Sequence, residues 1–171
     1  SVGSRIEHPQ SLIDRARLGK YAGHPKLGAA DYKLVHHAKN GRSVYSFCMC
    51  PGGTVVAATS EPNRVVTNGM SQYSRNERNA NSGIVVGITP EVDYPGGPLA
   101  GIELQERLES HAFILGGSVY KAPAQLVGDF INGNPSSDRT ARYAQASASI
   151  ESPLNPRSSA TITFAPAILA N

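Results

Sequence analysis

Two parts of the sequence carry residue types suited to chemistry. Cys48 and Cys50 stand one residue apart before Pro51-Gly52-Gly53, and further on Asn68, Gly69, Met70 and Ser71 close an apolar run, followed by Arg75 and Asn81. A cysteine thiol with its ordinary pKa of about 8.5 is mostly protonated at neutral pH, and gains thiolate character where a cation such as Arg42 or Arg75 comes close. Packed in a core, the same residue is an inert small hydrophobe. Asn and Ser side chains both donate and accept hydrogen bonds, and an arginine can hold a carboxylate through two parallel bonds. On these grounds Cys50 is a candidate catalytic group, and Asn68, Gly69, Met70, Ser71, Arg75 and Asn81 form a candidate ligand-facing set. The competing readings are turn residues that satisfy their own backbone and an Arg75 paired with Glu77 or Glu61. His8 is a second candidate catalytic group, because histidine titrates near neutrality and can shuttle protons; its plainer role would be to cap a helix or bond a carbonyl.

The elements that must position these residues read as α+β, with a mainly antiparallel sheet between residues 31 and 89 and helices near 10–18 and 98–115. In the segment from Val44 to Cys50, residues 44, 46, 48 and 50 fall on one face and Tyr45, Phe47 and Met49 on the other. Pro51-Gly52-Gly53 then supplies a reversal, and Thr54–Thr59 returns. Glu61-Pro62-Asn63 turns the chain again into Arg64–Thr67, so the economical expectation is a meander of three strands. Gly83–Thr89, GIVVGIT, reads as a further strand covered on both faces. Between them Asn68–Ser82 is expected to be a long loop, and long loops tend to be functional or disordered. Asp31–His37 alternates like a strand, and residues 1–8 read as an extended opening. Leu104, Leu108, Ala112 and Leu115 recur at helical spacing ahead of Gly116-Gly117, which predicts a structural core helix. A short helix over 123–132 and a strand over 161–164 are weaker readings.

The composition narrows the function classes. The chain has 171 residues, 40% hydrophobic and 17% charged, enough for one domain. Residues 1–45 hold eight Lys and Arg against three acids, which could face an anion or a nucleic acid; scattered charge without a nucleic-acid-binding motif argues against a nucleic-acid partner. Two cysteines one residue apart point to reduced thiols, and with His36 and His37 badly spaced no metal site is expected. No apolar run approaches the roughly 20 residues of a membrane span, so a soluble, cytoplasmic protein is expected. G-x-S-x-G, H-E-x-x-H and P-loop signatures do not occur. The absent initiator Met suggests an excised domain, 1–133, with a Ser/Ala/Pro-rich and flexible tail over 134–171.

Several segments together resemble a bacterial family of uncharacterised FAD-dependent dehydrogenases, flavoproteins of the glutathione-reductase-like kind. They are GSRIEHPQSLID (3–14), AADYKLVHH (29–37), GRSVYSFCMCPGG (41–53), VVTNGMSQYSRNERNANSGIVV (65–86), PLAGIELQERLE (98–109) and YKAPAQLVGDF (120–130). The Gly-rich strand-to-helix turn that holds an FAD pyrophosphate is not among them. The resemblance therefore implies the central, inserted or substrate-side domain of a two-domain flavoprotein. Its partner would be the flavin-binding domain of the same parent, its cofactor FAD held by that domain, and its small-molecule substrate is not specified. It further implies that His8, in the R-I-E-H-P segment with Arg5 and Glu7, serves a reduced flavin, and that the chain alone is catalytically incomplete. A non-catalytic ligand- or protein-binding module derived from such an enzyme is the alternative, with a basic nucleic-acid-contacting domain behind it.

Overall fold

The computed structural model describes residues 1–136 and 161–163. The chain opens with a strand, β1 (Val2–Pro9), which runs straight into α1 (Gln10–Leu18). Pro9 at the helix N-cap has φ −59°, and Arg15 and Arg17 occupy the last turn, where cations complement the negative end of the helix dipole. Gly19, at φ 56°, ends the helix, and a 3-10 turn over Gly19–Tyr21 leads into an irregular segment. Then follow β2 (Val35–His37), β3 (Ser43–Cys50), β4 (Gly53–Ala58), β5 (Val66–Ser71) and β6 (Asn79–Val86). After α2 (Pro90–Asp93) and α3 (Ala100–Leu115) come β7 (Ala124–Leu126), α4 (Val127–Asn132) and β8 (Thr161–Thr163).

These strands make a six-stranded sheet in the order β2-β3-β6-β1-β8-β7 and a separate pair β4-β5, every ladder antiparallel. The α+β class and antiparallel sheet are as expected, but the meander is not. β3 does not pair with β4; its edge is taken by β6, with Val44 opposite Val86 and Phe47 opposite Gly83. β4 instead leaves the sheet, pairs with β5 from Gly53 opposite Ser71 to Ala58 opposite Val66, and lies as a second layer against β1, β3 and β6. The extended opening is a central strand, paired along its whole length with β6. β8 joins it on the other side; the rest of the tail lies outside the described residues.

The expected long loop shrinks to Gln72–Arg78, because β5 continues to Ser71 and β6 begins at Asn79. Asn79, Asn81 and Ser82 look like loop residues but sit in the strand, their side chains bonded to Glu7, Arg5 and the carbonyls of Phe47 and Gly83.

At the far end of the hairpin, Val65, Ala112, Phe113 and Ala122 form an apolar cluster with Ala57 packed on it. Phe113 meets the Tyr120 ring edge to face at 4.8 Å between centroids. The helix expected over 98–115 is α3, but its core side differs: Ala112 is buried beside Phe113, while Leu115 is 59% exposed. Among the described residues no helix is long and apolar enough to cross a membrane.

Candidate functional site

Side chains alternate along β1, so its polar residues divide between two faces. Arg5 and Glu7 stand opposite Gly83 and Asn81, whereas Ile6 and His8 stand opposite Ser82 and Ala80. The two faces become chemically distinct environments.

On the first face Arg5 is 1% exposed. Its Nε donates to Asn81 Oδ1 at 2.6 Å, and one terminal nitrogen donates to the Cys48 carbonyl and lies 3.6 Å from Cys50 Sγ. A bulge in β3 makes this cluster. Between Phe47 and Cys50 the register shifts, Cys48 takes φ 45°, and Cys50 is carried opposite Asn81. The simple alternation expected for 44–50 therefore breaks, and Cys50 shares a face with Phe47 rather than with Val44 and Ser46. The cation beside Cys50 is Arg5, not Arg42 or Arg75. Arg42 instead clamps Asp93 through both terminal nitrogens, at 3.1 and 2.6 Å, and this pairing holds the Asp93 carboxyl below its usual range. Burial pulls Arg5 below the ordinary arginine value, with Cys50 and Cys48 opposing that shift.

Gly69 of β5 closes this cluster from above. A Cβ there would strike both the Arg5 guanidinium and Asn81 Oδ1, so only glycine allows the hairpin to sit this close. The cluster joins the two layers. Asn81 is 0% exposed, with Nδ2 lacking a partner among the described residues. Of the proposed ligand-facing set, Gly69 and Asn81 are thus brought together, but against each other and beneath the hairpin. Asn68 and Met70 are exposed on β5, with Asn68 Oδ1 accepting the Gly69 N–H at 2.8 Å. Ser71 Oγ donates to the Pro51 carbonyl at 2.8 Å. Arg75 is exposed on the β5–β6 turn and lines a cleft with Gln10, Asp14 and His24.

On the second face His8 is 6% exposed. Its Nε2 lies 2.8 Å from the Tyr32 hydroxyl, and the two rings are tilted at 43°. The other ring nitrogen, Nδ1, has no hydrogen-bond partner among the described residues. Burial lowers the His8 pKa, opposed by the backbone of Pro9 and of His8 itself, so the ring is neutral at pH 7. Burial raises that of Tyr32, opposed by Ser82 and then Arg5. Tyr32 is only half-buried, so this pair reaches from the interior toward the surface. A neutral imidazole held at one nitrogen with the other uncommitted can accept, hold or pass on a proton. The sequence put Tyr32 on an alternating segment but gave no sign of its partner, 24 residues away.

A protein of Clostridium beijerinckii that carries the name "Uncharacterized protein" is 57% identical to this chain over 133 residues, covering 77% of the chain and 25% of that protein. The chain thus spans about a quarter of the length of that relative. Residues 1–162, which include Arg5, His8, Tyr32, Cys50, Gly69 and Asn81, match the family described as "FAD-dependent protein, C-terminal domain-like". That description speaks of a C-terminal domain, where the resemblance had implied a central portion. On the extent of this match, the chain belongs to the FAD-dependent protein C-terminal domain-like family.

Proposed function

We propose that this chain is the substrate-side part of an FAD-dependent oxidoreductase, a dehydrogenase in reaction type, whose flavin-binding part lies elsewhere in the same parent protein. Family membership supports the flavoprotein relation, and a relative about four times as long as the matched portion leaves room for the other part.

The described residues do not fit the dinucleotide itself. A pyrophosphate cradle needs free backbone N–H groups at a Gly-rich turn between a strand and a helix, within a parallel βαβ unit. At the β1–α1 junction Pro9 has no N–H, and the Gln10 N–H is engaged by the Arg78 carbonyl at 3.0 Å. Every ladder among the described residues is antiparallel. No step is therefore assigned here through the flavin.

The chain's own contribution centres on His8 Nδ1, a buried nitrogen without a hydrogen-bond partner among the described residues, and this atom carries the reading. An unpaired buried polar atom costs about 1–3 kcal/mol, a cost that a substrate group bonding to it would remove. His8 would exchange a proton with that group, while Tyr32 fixes the ring through Nε2. Free Cys48 and Cys50 thiols are in keeping with a cytoplasmic setting. The test is single-turnover kinetics of the parent protein as a function of pH. His8→Gln should lower the rate by about 10²–10⁴-fold and remove one limb of the pH profile. Tyr32→Phe should move that limb with a smaller loss of rate. An unaltered profile in His8→Gln would remove His8 from the site.

A further inference from the structure

We infer that the cleft between α1, the 23–29 segment and the β5–β6 turn binds a small ligand through an oxyanion group, a carboxylate or a phosphate, with Arg75 as its main contact. The cleft has a volume of about 340 Å³ and is lined by Gln10, Asp14, His24, Arg75, Asn76 and Glu77 among others. That lies at the small end of the about 300–1,000 Å³ usual for small-molecule sites. It shares no residue with the His8–Tyr32 pair and does not depend on the flavoprotein reading.

Its walls are tied together by a buried side chain. Gln10 is 6% exposed; its Nε2 donates to Asp14 Oδ1 at 2.7 Å and to the Ala30 carbonyl at 2.9 Å, and its Oε1 accepts the Gly52 N–H at 2.7 Å. Gly52 in turn accepts the Glu77 N–H at 3.3 Å, and a Cβ on Gly52 would strike the Arg75 carbonyl. The three segments around the cleft are thus fixed to one another through Gln10 and Gly52. Arg75 is held at φ 49° with its N–H on the Gln72 carbonyl at 3.0 Å, which sets where its side chain departs.

Arg75, Asn76 and His24 among the lining residues offer hydrogen-bond donors. Arg75 makes no ion pair among the described residues, and Glu61 is paired with Arg64. Asn76 Oδ1 accepts from Ser74 Oγ at 2.7 Å, which leaves the amide nitrogen as its outer end. His24 Nδ1 accepts the Lys26 N–H at 3.2 Å, so the ring proton resides on Nε2. A planar guanidinium, an amide and an imidazole N–H contributed by residues lining one cleft suit one oxyanion group. Asp14 and Glu77 also line the cleft. Asp14 Oδ1 is turned to Gln10 and to the Ala30 N–H at 2.9 Å, and Glu77 disfavours a polyanion over a single oxyanion group.

The experiment is amide and side-chain NMR of the 171-residue chain titrated with sodium phosphate and, separately, sodium acetate, with ionic strength held by sodium chloride. Saturable shifts confined to residues 10–14, 23–29 and 75–77 are expected. Saturation by acetate alone assigns a carboxylate ligand and by phosphate alone a phosphoryl ligand, and either supports the site. Arg75→Gln should weaken binding by about tenfold or more, whereas Arg15→Gln, on the last turn of α1, should leave it unchanged. An unaltered amide spectrum elsewhere shows that the variant is folded, and Asn76→Ala should weaken binding by a smaller factor. Shifts that rise linearly with salt, or saturable binding that survives Arg75→Gln, would overturn the proposal.

Discussion

The two faces of β1 put buried polar residues to opposite use. On one, Arg5 and Asn81 are buried and bonded to each other under Gly69, and Arg5 also donates to the carbonyl of the exposed Cys48 and lies beside the half-buried Cys50. On the other, His8 is nearly as deeply buried, yet only one of its ring nitrogens is engaged, and its partner Tyr32 is half-open. Each face leaves one nitrogen without a partner among the described residues, Asn81 Nδ2 and His8 Nδ1. What separates them is charge. Asn81 lies at 0% exposure beside a permanent cation, whereas His8 belongs to a titrating pair that extends outward. Burial alone therefore does not distinguish a structural polar cluster from a functional one; the charge and chemistry of the bonded partner do.

The contrast is tested most strongly at Arg5. Arg5→Met keeps the apolar stem but leaves the buried Asn81 Oδ1 and the partly buried Cys48 carbonyl without their charged donor. Charge-assisted bonds are worth about 1.5–3 kcal/mol each, so a loss of roughly 3–5 kcal/mol is expected in urea denaturation of the chain. A loss under about 1 kcal/mol would mean that the cluster does not join the layers.

A smaller effect is expected on the other face. Tyr32→Phe removes one hydrogen bond from a half-buried hydroxyl and should cost about 1 kcal/mol in the same measurement. A cost as large as that of Arg5→Met would make the second face structural too, and the comparison would collapse.

The smallest expected effect is a pH dependence. The His8 pKa is lower in the folded chain than the ordinary value of about 6.5, so the unfolded state binds the proton more readily. Its contribution to stability is complete above about pH 6.5 and falls as pH drops from there to the folded-state value, below which the loss is constant. Glu7 is shifted upward by burial, opposed by its bond from Asn79, and so acts in the opposite sense at its own titration. The His8 share is obtained as the difference between the native chain and His8→Gln, each measured across pH 5–8. A difference that does not vary with pH would show that His8 is not held neutral by burial.

The legible parts of this fold are those whose signal is local. The helix over 100–115 follows from its own periodicity and β4 from a β-branched run bounded by turn residues, whereas only Val66 and Thr67 of β5 lie within the expected run over Arg64–Thr67. β1 was not legible as a central strand, because Arg5, Glu7 and His8 break the apolar pattern and their partners lie more than 70 residues away. The same remoteness misplaced the start of β6. Asn79 to Ser82 carry the composition of a loop, and only the groups that meet them from β1 and β3 make burial tolerable. The bulge at Cys48 was hidden for a related reason: its purpose, a carbonyl turned to Arg5, is visible only once β1 is in place. Of the candidate residues, His8 and Cys50 were picked by type, but the cation near Cys50 and the phenol on His8 both come from segments that sequence spacing does not connect to them. The ligand-facing set divided because β5 continues through Gly69 and Ser71, which points these residues to different surroundings.

The central claim is that this chain serves a flavoprotein without holding the dinucleotide itself. The direct measurement is a fluorescence or calorimetric titration of FAD into the purified 171-residue chain, beside the flavin content of the full-length parent. The account predicts no saturable binding by the chain and one flavin retained per parent molecule. Tight, one-to-one FAD binding by the chain alone would contradict it.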